Sequence, residues 1–519
     1  MRIESVALFR MVSIGRRTPV TARRRFTAGR ADALGVRDAR WSRAVSEEGA
    51  NTMTSASSRP SRLFTLVRSV TVLVCLLAFG ARADQIDRYV ETQLQRQHIP
   101  GLSLVVIRDG RVVKMHGYGF ADLEHKVPAT PDTVLEIGSI TKQFTAAAIM
   151  LLVEQGGIDL SDPAGKYLPK LPDAWQAVTI RQLLTHTSGI PDYEEIMGYD
   201  GYRNPMAAEQ VIALAASKPM DFQPGRKWSY SNTGYFLLTL ILEKVSGEPY
   251  ASFVKQRILV PAGMTHTRSS EPVDVIPDRA SGYVFEEGHI ENRDPMQPTA
   301  TGGAGMLVST VKDLAKWNTV LDRQSILAQT SYAQMWADAP LADGSSSGYG
   351  FGWFVSPMRE HRSQNHSGGT AGFSSNILRL PDDRVTVIVL ANTGSANAVS
   401  ITNHIARVLV PSLAYAPIRE QDPQVAQMVM DFYTHRLDPD VYDKPLSPEF
   451  AAKIRPYWAA NHEYFQALGP PRSIVPVERS ADGATRLYRY RVRYTDTSRL
   501  VLVTLDADSR ITNMQAEEE

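Results

Sequence analysis

The sequence predicts a two-lobe α/β architecture, an antiparallel sheet flanked by terminal helices plus a helical lobe, followed by a small α+β domain. Three observations carry this. Strand-like runs occupy 101–120 and return at 349–392, while helical patterns and long loops fill the interval from about Ala121 to Ala339. Helical periodicity marks both ends of that region, at 84–97 and 398–410. After Val410 the composition shifts to a proline-marked linker and a shorter series of helices and strands. A sheet built from distant segments closes most economically with its terminal helices laid on it and the middle helices forming a second lobe. The cleft between the lobes is then the natural site.

At 519 residues the chain is too long for one ordinary domain. A hydrophobic content of 43% with 21% charged residues describes a globular protein. A formal net charge of +1 gives no electrostatic argument for nucleic acid or an anionic membrane as partner. Cys75 is the single cysteine, which excludes an intramolecular disulfide and a thiolate metal centre. The histidines form no H-E-x-x-H pair, so no metal or other cofactor is expected.

Residues 53–83 carry Arg59, Arg62 and Arg68, an apolar run from Val70 to Phe79, and Ala81-Arg82-Ala83. That series reads as a secretory signal peptide, too short for a stable membrane span, and implies a periplasmic or secreted product. Val74 before Cys75 argues against a lipoprotein site. Translation is expected to begin at Met53, with 1–52 a spurious or disordered extension. "ARRRFT" (Ala22–Thr27) imitates a twin-arginine signal but lacks an apolar segment close behind it.

The mature chain opens with a helix carrying Ile86, Tyr89, Val90 and Leu94 on one face. "GLSLVVIRDGRVVKMHGYGF" follows, two strands joined by Asp109-Gly110. "EIGSITKQFTAAAIMLLVEQGG" (Glu136–Gly157) is an amphipathic helix stopped by two glycines. Late strands are expected at Tyr349–Val355, Arg362–Gly368, Gly372–Leu380 and Arg384–Asn392, the last two joined by Pro381-Asp382-Asp383. The domain 84–410 closes with a helix over Ala398–Val410. A linker, 411–423, leads to an α+β accessory domain, 424–519, with helices over Gln424–Leu437 and Pro448–Leu468. In "LYRYRVRY", Tyr488, Tyr490, Val492 and Tyr494 alternate with Arg489, Arg491 and Arg493, which predicts a half-buried strand with a solvated arginine face.

The chemistry concentrates in three places. Ser139 and Lys142 stand three apart at the mouth of an apolar helix, on one face. A serine hydroxyl needs a base within hydrogen-bond reach, and a lysine serves once burial lowers its pKa. Alone, S-x-x-K is weak: it recurs at Ser252/Lys255 and Ser309/Lys312, and a capping serine beside a solvated lysine has the same pattern. Tyr230 and Asn232 stand two apart before an apolar helix, where the bland reading makes Asn232 an N-cap. A phenol beside a lysine can shuttle protons, and an amide can hold a substrate carbonyl. In "NHSGGTAGF", His366 and Gly368 alternate on one face of a strand, and Gly368 would let a substrate backbone lie close. "GSSSG" (Gly344–Gly348) matches a nucleophile-elbow pattern, but it sits in a polar loop without the strand and helix that motif requires.

Ser139-Ile140-Thr141-Lys142, Tyr230-Ser231-Asn232 and His366-Ser367-Gly368, in that order, resemble the serine β-lactamase and penicillin-binding-protein superfamily. The branch is that of class C β-lactamases, D-alanyl-D-alanine carboxypeptidases, D-aminopeptidases and esterases. "LLTHTSGIPDY", "PGRKWSYSN", "GGAGMLVSTVKDLAKW" and "YGFGW" extend the likeness over roughly residues 84–410. The resemblance implies the two-lobe β-lactamase-like fold. It implies Ser139 as acylated nucleophile, Lys142 as its base or proton relay, and Tyr230 as the group activating the deacylating water. Asn232 becomes a substrate-amide contact and His366 a leaving-group or carboxylate contact, and the backbone N–H groups of Ser139 and Gly369 form an oxyanion hole. Most true β-lactamases of the superfamily have Lys-Thr-Gly where this chain has His-Ser-Gly, which argues against β-lactam hydrolysis as the main role. The expected function is an exported serine hydrolase acting through an acyl-enzyme on a small amide or ester, D-alanyl-D-alanine carboxypeptidase- or D-aminopeptidase-like or esterase-like, with a small-molecule or short-peptide substrate. A β-lactamase or a non-turnover β-lactam sensor is the alternative, and the oligomeric state stays open.

Overall fold

A computed structural model of the chain describes residues 84–519, apart from 272, 295, 436–443, 461–465, 467, 483–484 and 496. The expected extension 1–52 and leader 53–83 lie outside the described residues.

Helix α1 (residues 84–96) leads into strands β1 (Gly101–Arg108) and β2 (Arg111–Asp122), with β3 (Val127–Pro128) on the outer edge. At the β1–β2 turn Asp109 and Gly110 take φ 52° and 71°. Two left-handed residues are what a two-residue hairpin needs to match the strand twist. Next come β4 (Leu135–Glu136), a one-turn 3-10 helix (Gly138–Ile140) and α2 (Thr141–Glu154). The helical lobe continues with α3 (Ile180–Leu184), α4 (Tyr193–Met197), α5 (Ala208–Ala215), α6 (Asn232–Ser246) and α7 (Tyr250–Val254). After it run β5 (Arg268–Ser269), the hairpin β6 (Gly282–Glu286) and β7 (His289–Arg293), α8 (Pro298–Thr301), β8 (Leu307–Ser309), α9 (Val311–Arg323) and α10 (Gln329–Met335). The chain returns to the sheet as β9 (Gln364–Thr370), β10 (Phe373–Leu380) and β11 (Val385–Ala391) and closes with α11 (Ala398–Leu409).

The main sheet is antiparallel in the order β3-β2-β1-β11-β10-β9, with Leu104 opposite Val389. Strand β1 is buried on both faces, which explains why it reads as a continuous apolar run. Leu102, Leu104 and Val106 pack with Ile86 and Val90 of α1 and with Ile401 and Ile405 of α11. Val105 and Ile107 point the opposite way, into the core shared with α2 and α9. The distant segments 101–122 and 364–391 thus meet in one sheet, with β9 on its edge beside the start of α2.

Tyr349–Val355 departs from its strand expectation. It forms a tight loop in which Gly350 N–H donates to Trp353 O at 2.8 Å. Gly352 takes φ 76°, and a Cβ there would lie 2.7 Å from the Lys142 carbonyl oxygen. Buried Tyr349, Phe351 and Trp353 anchor this loop against the helical lobe, so their alternation reports packing and not a ladder. The β6–β7 hairpin has no counterpart among the sequence expectations.

Beyond 410, α12 (Pro423–His435) and a helix over Pro448–Ala460 accompany a four-stranded antiparallel sheet. Its strands are β12 (Ser473–Asp482), β13 (Thr485–Arg493), β14 (Ser498–Leu505) and β15 (Ile511–Glu518). Val429, Phe432, Tyr490, Val501 and Val503 form a separate core there. The arginine face of β13 is not simply solvated. Arg489 donates to Glu478 at 2.8 Å and lies over the Tyr415 ring, while Arg491 donates to Tyr415 O at 2.8 Å. The row therefore grips the segment linking the two regions. Arg407 of α11 pairs with Glu517 at 3.2 Å, a second tie. No helix among the described residues is long and apolar enough to cross a membrane.

Candidate active site

The sequence turns sharply at Ser139. Gly138 takes φ 50°, and a Cβ there would stand 2.8 Å from the Gly369 nitrogen of β9. Only glycine lets the turn rest directly against the strand. One 3-10 turn later α2 begins, and Lys142 is fully buried beneath Ser139. Its Nζ lies 3.0 Å from Ser139 Oγ, 2.8 Å from Asn232 Oδ1 and 2.9 Å from Ala304 O. The amide and carbonyl oxygens can only accept, whereas the serine hydroxyl can give or take. A neutral amine can thus donate both its N–H groups to Asn232 and Ala304 and turn its lone pair toward the Ser139 proton. Burial pulls the Lys142 pKa down to about 7, against the opposing charges of Glu194 and Asp192.

Ser231, not Asn232, caps α6: its side chain accepts from Gly234 N–H, and its own N–H donates to His186 Nδ1 at 3.1 Å. The bland reading of Asn232 fails for this reason. As the first residue inside the helix, its amide is free to face the lobe interface. Its Nδ2 donates to Asp192 Oδ2 and Glu194 Oε2, both at 3.2 Å. Tyr230 hydrogen-bonds Ser139, and burial holds its phenol well above the usual range. The Lys142 Nζ lies 4.7 Å from the Tyr230 ring centroid and 5.4 Å from that of Tyr235, where ring faces favour an ammonium.

On β9, His366 and Gly368 share the buried face. The imidazole is 1% exposed and packs against Tyr349, Phe354 and Tyr230. Its Nδ1 is 2.6 Å from Ser367 O, and a carbonyl can only accept, so the proton sits on Nδ1. The other nitrogen then accepts from the Tyr349 hydroxyl at 2.8 Å. Burial, with the Lys142 charge behind it, pushes the His366 pKa down to about 3. As placed, the ring has no free donor to offer a substrate carboxylate, contrary to its expected role. Gly368 also serves a different purpose from the expected one. A Cβ there would meet Ile137 O at 2.0 Å, so the missing side chain accommodates the segment before Ser139 and not a substrate strand. Gly369 is exposed beside Gly138.

The structure therefore brings Ser139, Lys142, Tyr230 and Asn232 into one network, with Gly369 adjoining it and His366 behind it. Sequence reasoning missed Asp192, Glu194, His186, Ala304 and Tyr349. Four of these lie inside the stretches "LLTHTSGIPDY", "GGAGM" and "YGFGW", but nothing in their spacing marks a role, because loops bring them together. The competing motifs stay apart. Lys312 pairs with Asp132 at 2.6 Å on the surface, and Ser346 bonds Asp338 within a loop.

Known proteins resemble this chain in sequence and fold. The sequence pattern of the family described as Beta-lactamase matches residues 86–410. A penicillin-binding protein of Bacillus subtilis is 31% identical over 366 residues, spanning 67% of this chain and 74% of that protein. Among solved structures, the octameric penicillin-binding protein homologue from Pyrococcus abyssi aligns with a TM-score of 0.58 and 26% identity, covering 84% of this chain and 98% of that one. The D-amino acid amidase from Ochrobactrum anthropi SV3 aligns with a TM-score of 0.56 and 26% identity, covering 64% and 98%. With two thirds of its length matched and Ser139 set over a buried Lys142 at the lobe interface, the chain belongs to the Beta-lactamase family and is a serine hydrolase of that group.

Proposed function

We propose that the chain hydrolyses small amides or esters through an acyl-enzyme on Ser139, and that it does not depend on a substrate carboxylate. The observation carrying the second half is the state of His366. With Nδ1–H committed to Ser367 O and Nε2 to Tyr349, it offers neither charge nor donor where relatives with lysine have a cation. Similarity to a D-amino acid amidase supports the amide reading.

In this mechanism Ser139 Oγ attacks the substrate carbonyl carbon while its proton passes to neutral Lys142 Nζ, 3.0 Å away. The Ser139 and Gly369 backbone N–H groups receive the oxyanion, a contribution of about 3–4 kcal/mol per donor in comparable sites. The new ammonium is favoured by the Tyr230 and Tyr235 ring faces and by its oxygen partners. Tyr230 remains a phenol because of its raised pKa, so it works as a relay. It gives its proton to the departing amine or alcohol and is reprotonated from Lys142. Water then adds to the acyl carbon, passing its proton through Tyr230 to Lys142, and Ser139 leaves as its Oγ takes that proton back from Lys142. The signal-peptide reading of the sequence over 53–83 would put this chemistry outside the cytoplasm, and the region after 423 would be accessory to it.

A panel of D-amino acid amides, neutral p-nitrophenyl esters, D-alanyl-D-alanine peptides and a chromogenic β-lactam tests the reading. Neutral amides or esters should exceed the carboxylate-terminated peptides and the β-lactam in kcat/KM by tenfold or more. A preference of that size for the peptides would overturn it.

A further inference from the structure

Asn232 is held from both ends. Its Oδ1 accepts from Lys142 Nζ at 2.8 Å, while its Nδ2 donates to Asp192 Oδ2 and Glu194 Oε2, both at 3.2 Å. Turning the amide over would set its NH2 against the lysine donors and its oxygen against two carboxyl groups, so one orientation alone satisfies both sides. The carboxyls are themselves fixed. Asp192 uses its other oxygen to cap α4, accepting from Glu194 N–H at 3.1 Å, and Glu194 also accepts from the Tyr202 hydroxyl at 2.9 Å. Their segment is fastened to the turn bearing Asn232, since Tyr193 N–H donates to Thr233 Oγ1 at 3.0 Å and that hydroxyl donates to Pro191 O at 2.7 Å.

We propose that Asp192 and Glu194 are positioning residues for Lys142, acting through the Asn232 amide to aim its nitrogen at Ser139 and to set the pH at which it becomes a base. This rests on the base role given to Lys142 above. Two carboxyls meeting at one donor in a largely buried place resist being ionised together. Burial, then the Glu194 charge, raises the Asp192 pKa accordingly. Each negative charge in the pair favours the Lys142 ammonium, and burial opposes it. The other groups facing this network hold one form near neutrality. Burial keeps the Tyr230, Tyr235, Tyr193 and Tyr202 phenols well protonated and the His186 and His366 rings neutral.

The test uses Glu194→Gln, whose amide oxygen can still accept from Asn232 and Tyr202, and Asp192→Asn, which removes the charge but leaves one oxygen to serve either the α4 cap or Asn232. Turnover of p-nitrophenyl butyrate is followed from pH 5 to 9, alongside the melting temperature and the rate of labelling by a fluorophosphonate. The wild type should show an acid limb near pH 7. Each variant should move that limb to lower pH by about one unit, because less negative charge holds the proton on Lys142. The fluorophosphonate labelling rate should move with it. A wild-type limb that stays in place in both folded variants would overturn the proposal, even if turnover falls. No wild-type limb, or one that survives Lys142→Arg, would instead overturn the base role of Lys142.

Discussion

The protonation of Lys142 governs the rest of the account. Its Nζ has two obligate acceptors and one reversible partner, and its pKa is brought down to about 7 by burial. Since the charged form is the one penalised, the reactive amine is lost as the pH falls through that value. A base with this pKa is ~9% neutral at pH 6 and ~91% at pH 8, so kcat/KM for a neutral ester should rise about tenfold between them. His366 cannot produce this limb, since its pKa lies near 3. Lys142→Arg keeps a cation at the site, but a guanidinium holds its proton throughout this range. That variant should lose about 10²–10⁴-fold in kcat/KM with no limb remaining. The assay is initial-rate hydrolysis of p-nitrophenyl butyrate in constant-ionic-strength buffers, corrected for spontaneous hydrolysis at each pH. A profile flat from pH 5 to 9, or an arginine variant retaining a tenth of wild-type activity, would refute the reasoning.

Three further outcomes follow from the same geometry. His366→Lys should destabilise the fold by about 3 kcal/mol or more in denaturant titration, because it buries an unpaired ammonium among aromatic rings. Unchanged stability with a gain for anionic substrates would mean that this position faces the substrate. Tyr230→Phe should slow release of the acyl group by about 10²-fold or more, so that acyl-enzyme from p-nitrophenyl butyrate, whose leaving group needs no proton from Tyr230, accumulates in rapid-quench mass spectra. Wild-type turnover without accumulation would remove the phenol from the mechanism. Truncation after residue 415 should keep measurable ester turnover, since Ser139, Lys142 and Tyr230 all precede it. It should lower the melting temperature, because buried Arg407 loses Glu517. Loss of turnover in a truncation that still folds would assign the tail to the site.

Much of the main sheet was legible because its signals are local. Asp109-Gly110 states a hairpin, and the run from Leu102 to Ile107 states a strand covered on both faces. The Ser139–Lys142 spacing likewise survives as a side-chain contact because one helical turn separates the two. What sequence could not supply was the direction in which a strand face looks. His366 and Gly368 alternate as expected, yet their common face turns inward because the segment before Ser139 crosses it, as the close approach at Gly368 records. Tyr349–Val355 misled for a related reason: alternating aromatics are buried by a loop folded on α2 as readily as by a sheet. Asp192 and Glu194 read as ordinary charges at the start of a short helix, and only tertiary packing sets both on the Asn232 amide.

Covalent capture of the nucleophile tests the central claim most directly. Intact mass after incubation with a fluorophosphonate should show a single adduct, peptide mapping should place it on Ser139, and Ser139→Ala should abolish both adduct and turnover. An adduct on Ser346 or another residue, or turnover surviving in Ser139→Ala, would contradict the account.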